Sequence, residues 1–394
     1  MISVAEAKLI IQEHCSPLLV VSMALNTALG SQLAEDVFAS TDIPPFNQSA
    51  VDGYAFAFDE WQNQKKLIIK GEIPAGDNSK SFLITDNTVR IFTGAPVPDG
   101  ADTVVMQERT KVLNDQLFIE DLNLSKGSAV RLKGSEIQAG ERALERGTYL
   151  SPAAIGFLAS IGVIKVSVLK KPTLSIIVTG NELQEPGKPL EHGQVYECNS
   201  FGLVAALKQL NLNDVNVYWA KDSPEDIKHA LTNSLVTSDI VLLTGGVSVG
   251  DYDFVLEAAS SCGISKLFHQ VKQKPGKPLY FGKKENKYVF GLPGNPASVL
   301  TCFYEYVIPA LRLLNPSIKD LHSIHTPVTK PINKMQGLTH FLKGYYNGNS
   351  VTPLDAQESY RLSSFAKANC LICIDENLTS CFEGVIVEIH LLPT

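Results

Sequence analysis

Positive charge is in short supply in this chain: Lys plus Arg number 34 against 41 Asp plus Glu, leaving a net charge of −7 over 394 residues. That balance excludes a broad electrostatic grip on nucleic acid or on an anionic membrane, and leaves only local basic clusters. Cysteine is sparse as well. The seven, at 15, 198, 262, 302, 370, 373 and 381, are odd in number and lack the dense spacing of a secreted disulfide scaffold. Cys370 and Cys373 form a Cys-x-x-Cys, but inside an apolar strand-like run where residues three apart point to opposite faces; without a second such pair it reads as structural. The eight histidines show no His-x-His or His-x-x-x-His spacing, which speaks against a zinc site. Apolar runs such as Leu18–Ala24 stop far short of the ~20 residues of a membrane helix. The opening MISVAEAK has no basic region leading into an apolar core. The expectation is a cytoplasmic protein with reduced thiols, no membrane and no nucleic-acid partner.

What is present suits a large multidomain fold, since 44% of the residues are hydrophobic and the length allows two to four domains. Ser3 and Glu6 form a capping box that starts a helix. From about Asp42 to Glu120 short β-rich runs (67–69, 89–92, 103–106, 117–119) alternate with Pro, Gly, Asp and Asn turns, which predicts an inserted β-rich domain. Ser151 followed by Pro152 caps a helix that leads back out of it. From Pro172 onward, apolar strands (174–180, 215–220, 239–246) alternate with helices beginning near Ser200 and Ser223. Such a βαβ series implies a mostly parallel sheet with ligands beyond the carboxyl ends of its strands. After Pro316 the chain returns to short β-like runs.

The candidate site residues fall at those strand ends. Thr244 to Asp253 reads TGGVSVGDYD: Gly245, Gly246 and Gly250 allow close backbone approach to an anion, Ser248 adds a hydroxyl, and the aspartates suit a hydrated Mg²⁺. The bland alternative is a glycine-rich turn with an acidic cap. Lys272-Gln-Lys274-Pro-Gly-Lys277-Pro278 puts three lysines on a stretch made semi-rigid by two prolines and suited to an oxyanion, although a solvated basic turn would explain the charges equally well. Pro293, Asn295, Pro296 and Ser298 lie where an apolar strand turns into a helix, a place where a hydroxyl can meet an anion at a helix start. Glu182, Asp222 and Asp253 share one predicted sheet edge, where hard oxygen ligands could converge on a metal bound to phosphates.

Together the segments PPFNQSAVDGYA (44–55), IFTGAPVPDGADTVVMQE (91–108), VRLKGSEIQAGE (130–141), TGNEL (179–183), TGGVSVGDYD (244–253), KPGKP (274–278) and GLPGNPAS (291–298) closely resemble one family. It is the molybdopterin molybdenumtransferases, called MoeA in bacteria and represented in eukaryotes by the E domain of gephyrin. The resemblance implies a multidomain α/β plus β fold. Its parts would be an elongated, helical linker domain (1–43 and 136–171), an inserted β-rich domain (44–135), a central MogA-like α/β domain with a mostly parallel sheet (172–318) and a small barrel-like β domain (319–394). It implies a homodimer with the active site at the subunit interface. The substrates would be adenylylated molybdopterin and molybdate, with Mg²⁺-dependent release of AMP. By motif position Glu182, Asp222 and Asp253 are the metal ligands; Lys274, Lys277, Ser298, Lys343 and Ser359 suit molybdate; Asp52 and Thr93 serve catalysis from the β-rich domain. A pterin adenylyltransferase and molybdoenzymes are the implied partners.

Four positions depart from the family pattern: Glu136 and Asn181 replace usual aspartates, Lys343 a usual arginine, and Glu358 a usual glycine. Lysine keeps the charge at 343 but loses the bidentate fork, which predicts a weaker or differently aimed anion site. Other readings of the same fold are a non-catalytic dimeric scaffold binding partner peptides, and a tungstate-inserting variant. Adenylylation of the pterin belongs to a related single-domain family that resembles only residues 172–318.

Overall fold

The computed structural model describes residues 1–77, 87–246 and 254–393. They group into two units, Met1–Val20 with Leu169–Thr394, and Val21–Val168. In the first unit a six-stranded sheet runs Val215–Ala220, Leu174–Thr179, Ile240–Thr244, Lys287–Leu292, Tyr280–Lys284, Ser265–His269, in that spatial order. The first four strands are mutually parallel. Alternation explains why the central strands are apolar throughout: Ile176, Val178, Ile240 and Leu242 enter one core, while Ile177, Val241 and Leu243 enter another against the Pro224–Thr237 and Phe254–Ser261 helices. Thr179 pairs with Ala220, Val178 with Thr244, and Thr244 with Leu292, so the carboxyl ends finish almost level. That edge carries the predicted site.

The helix Pro296–Leu314 crosses the larger core. It reaches the length and hydropathy of a membrane span, yet 78% of that window is buried within the fold, as for the core helix of an α/β domain. Its middle turn, Phe303–Val307, is π-helical and fully buried. There Glu305, 1% exposed, receives Lys8 Nζ at 2.8 Å and pairs with His390 Nδ1 at 2.6 Å.

The first helix, Val4–His14, has the capping box expected of Ser3 and Glu6. It does not belong with the linker, as the range 1–43 proposed. Ala7, Ile11 and Cys15, an i, i+4 stripe, join the core of the α/β sheet, and apolar burial on that stripe decides where the helix goes. In the C-terminal part, a sheet runs Gln273–Lys274, Thr339–Tyr346, Cys370–Ile374, Ile386–Leu391, His322–Pro327, with Val351–Pro353 paired to the second of these. Cys370, Ile372 and Ile374 face one core and Cys373 does not. Burial pushes the thiols of Cys370 and Cys373 up to about 12, and all seven cysteines are free, in keeping with inert structural thiols.

The second unit holds a six-stranded sheet in the order Thr103–Met106, Gly53–Phe56, Asn87–Ile91, Leu67–Ile73, Gln116–Ile119, Thr110–Leu113. The four β-rich runs read from sequence all lie in it. The rest of the unit is built around the Pro152–Ser160 helix, capped by Ser151, with Leu25, Leu33, Leu150, Leu158 and Val168 in its core.

Candidate active site

Three turns meet at the level ends of the parallel strands. After Thr179 the chain turns through Gly180 and Asn181 to Glu182; after Ala220 it reaches Asp222; after Thr244 come Gly245 and Gly246. Gly245 has φ +87°, and a Cβ there would lie 2.6 Å from the Thr179 carbonyl oxygen, so only glycine fits. Its own N–H donates to the Leu292 carbonyl at 3.3 Å, continuing the parallel ladder. The glycine therefore supplies close backbone approach, while its amide is already engaged. Gly294 follows the fourth strand and comes within contact distance of Gly245, its Cβ position 3.9 Å from the Gly245 Cα.

Glu182 is exposed, with both carboxylate oxygens folded back over Gly180, 2.9 Å from where a Cβ would stand. Asp222 is half-buried; its N–H donates to Asn181 Oδ1 at 3.4 Å, and its Oδ1 is buried with no hydrogen-bond partner. Asn181, a departure from the family pattern, thus joins the two strand ends through its amide oxygen. An exposed carboxylate beside a buried, unpartnered carboxylate oxygen fits a hard divalent cation. Asp253, the third expected ligand, lies outside the described residues, as do Ser248 and Gly250 of the same loop. Among the described residues no three His, Cys, Asp or Glu side chains form a metal-holding group.

A second cluster surrounds the start of the core helix. Pro296 opens that helix, Pro293 is buried at the strand end, and Ser298 is 3% exposed in the first turn. Asn295 Nδ2 donates to Ser359 Oγ at 2.9 Å and the Ala297 N–H donates to the Ser359 carbonyl at 3.0 Å, so Ser359 is docked on the helix start. The KPGKP turn lies against the same helix: a Cβ on Gly276, φ +83°, would lie 2.5 Å from Cys302 Sγ and 3.7 Å from the Ser298 carbonyl. Lys274 and Lys277 are exposed on that turn.

Lys343 does not take the role expected of it. It is 3% exposed, and its Nζ donates to the carbonyls of Ala356 (2.7 Å), Glu358 (3.3 Å) and Arg361 (3.1 Å). An ammonium so engaged holds the loop that carries Ser359 rather than contacting an oxyanion directly. Glu358 itself is exposed and pairs with Arg361 at 3.7 Å. Glu136 is exposed in the second unit.

Sequence reasoning missed three neighbours of the site. Asn199 Nδ2 donates to the Gly294 carbonyl at 2.9 Å, and its Oδ1 is buried without a partner. His340 stands opposite Lys274 in the parallel pairing of two strands distant in sequence, and burial together with the charges of Lys334 and Lys274 pushes its pKa down to about 4. Gln273 is buried directly beneath the KPGKP turn. The Asn199 and His340 contacts leave no local motif, whereas Gln273 adjoins the KPGKP motif in sequence.

In the second unit Asp52 and Thr93 do meet. Asp52 Oδ1 accepts from the Thr93 N–H at 2.7 Å and from Oγ1 at 2.9 Å, and these bonds hold the Asp52 carboxyl below the usual carboxylate range. Both are exposed, so the carboxylate stays charged and open to solvent.

Comparison with known proteins agrees in three consecutive blocks. Residues 2–162 match the MoeA N-terminal region (domains I and II), 175–313 a probable molybdopterin-binding domain, and 326–392 the MoeA C-terminal region (domain IV). The molybdopterin molybdenumtransferase of Haemophilus influenzae is 33% identical over 374 residues, spanning 93% of this chain and 92% of that protein. The protein of the same name from a Nostoc species is 34% identical over 384 residues, covering 93% and 87%. In two crystal structures the molybdopterin biosynthesis MoeA protein of Pyrococcus horikoshii superposes with TM-scores of 0.86 and 0.76, at 28% and 29% identity. They cover 100% and 99% of this chain, and 100% of each matched chain is covered.

Proposed function

This chain belongs to the molybdopterin molybdenumtransferase (MoeA) family, and we propose that it inserts molybdate into adenylylated molybdopterin with release of AMP. It is a transferase of molybdenum cofactor biosynthesis. The observation that carries the finer reading is the pair Glu182 and Asp222 at the ends of adjacent parallel strands, beside the Gly245–Gly246 turn, with Asp222 Oδ1 buried and unpartnered. Glu182 and Asp222 would hold Mg²⁺, which when bound supplies positive charge against the diphosphate oxygens. The glycine turn lets the diphosphate lie against backbone. Lys274 and Lys277, exposed on a turn that packs against the same core helix as Ser298, would supply two cations for the tetrahedral dianion. Ser359, fixed by Asn295 and by the Lys343 loop, offers a hydroxyl at the helix start.

We further propose a cytoplasmic homodimer whose active site is completed at the subunit interface, and which works between a pterin adenylyltransferase and the molybdoenzymes. Exposed Phe201, Val217 and Trp219, on and beside the edge strand of the α/β sheet, support a face that a partner buries. The test of the activity is AMP release from adenylylated molybdopterin by the purified protein. Release should require both Mg²⁺ and molybdate and yield cofactor that activates an apo-molybdoenzyme; folded protein that releases no AMP under these conditions contradicts the reading.

A further inference from the structure

The two exposed lysines of the KPGKP turn stand on a buried polar seat. Gln273 is 1% exposed, and its Nε2 donates to the carbonyls of Gly276 (2.9 Å) and Pro275 (3.1 Å) and to Cys302 Sγ (3.5 Å). Its Oε1 accepts from the hydroxyl of Tyr306, which is fully buried. The seat is completed by the backbone: the Val271 N–H donates to the Lys277 carbonyl at 3.0 Å, and Gly276 lies too close to Cys302 for any side chain to be inserted. Ser298, Cys302 and Tyr306 follow one another at intervals of four on a single stripe of the core helix. That stripe runs from the helix start, where Ser298 and Ser359 lie, down to the Tyr306 hydroxyl.

We propose that Gln273 and Tyr306 are positioning residues for molybdate capture: their mutual hydrogen bond fixes the KPGKP turn so that Lys274 and Lys277 present their ammonium groups at a set separation to the oxyanion. The inference rests on the functional reading above, in which those lysines receive molybdate. Neither residue touches the oxyanion. A buried side-chain amide with its partners satisfied has one orientation, and pinning the turn to it leaves two otherwise solvated lysines fewer orientations than the two prolines alone would. The π-helical turn Phe303–Val307 that carries Tyr306 also carries Glu305, which faces Lys8 and His390, so the same turn anchors the seat from behind.

The test is equilibrium binding of molybdate to the full chain by titration calorimetry, with wild type, Tyr306→Phe, Gln273→Met and the double variant. Each single change should weaken molybdate binding about tenfold, and the double should be no weaker than the worse single, because both act through one bond. In turnover with adenylylated molybdopterin and Mg²⁺, the half-saturating molybdate concentration should rise by the same factor while kcat, reached at excess molybdate, stays within about twofold. A change that merely loosened the fold would lower kcat and the melting temperature without altering molybdate dependence. Should Gln273→Met not fold, Tyr306→Phe, which removes one oxygen atom, decides alone. Unchanged molybdate affinity in a folded variant overturns the proposal and leaves the functional reading standing. Wild type that binds molybdate tightly but releases no AMP counts against the functional reading and leaves the seat intact.

Discussion

Asp222 shows at the scale of one residue what the strand-end arrangement demands. A carboxylate oxygen buried without a donor is costly, and a bound cation would relieve that cost. Asp222→Asn preserves volume and removes the charge; AMP release should fall at least about a hundredfold, with the melting temperature unchanged or raised. Lys343 is the opposite case. Burial lowers its pKa, and three carbonyls satisfy its ammonium, so Lys343→Met should destabilise the fold by roughly 3 kcal/mol through unpaired carbonyls, read as a lowered denaturation midpoint. An unaffected midpoint would return Lys343 to the role of a free anion ligand. The sequence made Asp222 and Glu182 visible because apolar strands announce their own ends. It could not show the direction of Lys343, which is set by the 354–361 loop folding back over it, nor the adjacency of His340 to Lys274, which depends on pairing of residues 66 positions apart.

Among the elements, the buried π turn has the clearest consequence for stability. Burial opposes charge on Glu305, yet the His390 hydrogen bond and the charges of Lys8 and His390 prevail and hold its carboxyl below the usual range. Burial likewise opposes charge on His390, and the Glu305 bond and charge prevail to raise it. Among the described residues, Lys8, Glu388, Cys373, Cys302 and Tyr306 are other titratable groups facing this pair. A raised histidine pKa contributes stability that is complete below its ordinary 6.5 and lost as pH rises through the raised value; a lowered carboxyl pKa contributes stability that is complete above 4.5 and lost as pH falls. The contribution of the cluster is therefore largest between those limits. Glu305→Gln should cost about 3–5 kcal/mol and flatten the decline of melting temperature between neutral and mildly alkaline pH. An equally steep decline in the variant would place the pH dependence elsewhere. The strands and capped helices were legible because period and caps are local signals. The assignment of the first helix was not, since its Ala7–Ile11–Cys15 stripe names no partner until Pro296–Leu314 is in place.

For the whole molecule, fold class followed from the order of textures along the chain: β-rich insertion, βαβ series, then short strands. The same order matches the MoeA N-terminal, molybdopterin-binding and C-terminal regions in turn. Assembly is a separate matter, and the proposed homodimer predicts a sedimentation mass twice the 42.8 kDa of the chain, with a single 42.8 kDa species as the contrary result. The measurement that bears most directly on the account is a crystal structure of the protein soaked with AMP, Mg²⁺ and molybdate. The account predicts a cation about 2.0–2.1 Å from oxygens of Glu182 and Asp222, the AMP phosphate against Gly245–Gly246, and molybdate beside Lys274 and Lys277. A cation bound away from both carboxylates, with the nucleotide phosphate far from the glycine turn, would contradict it.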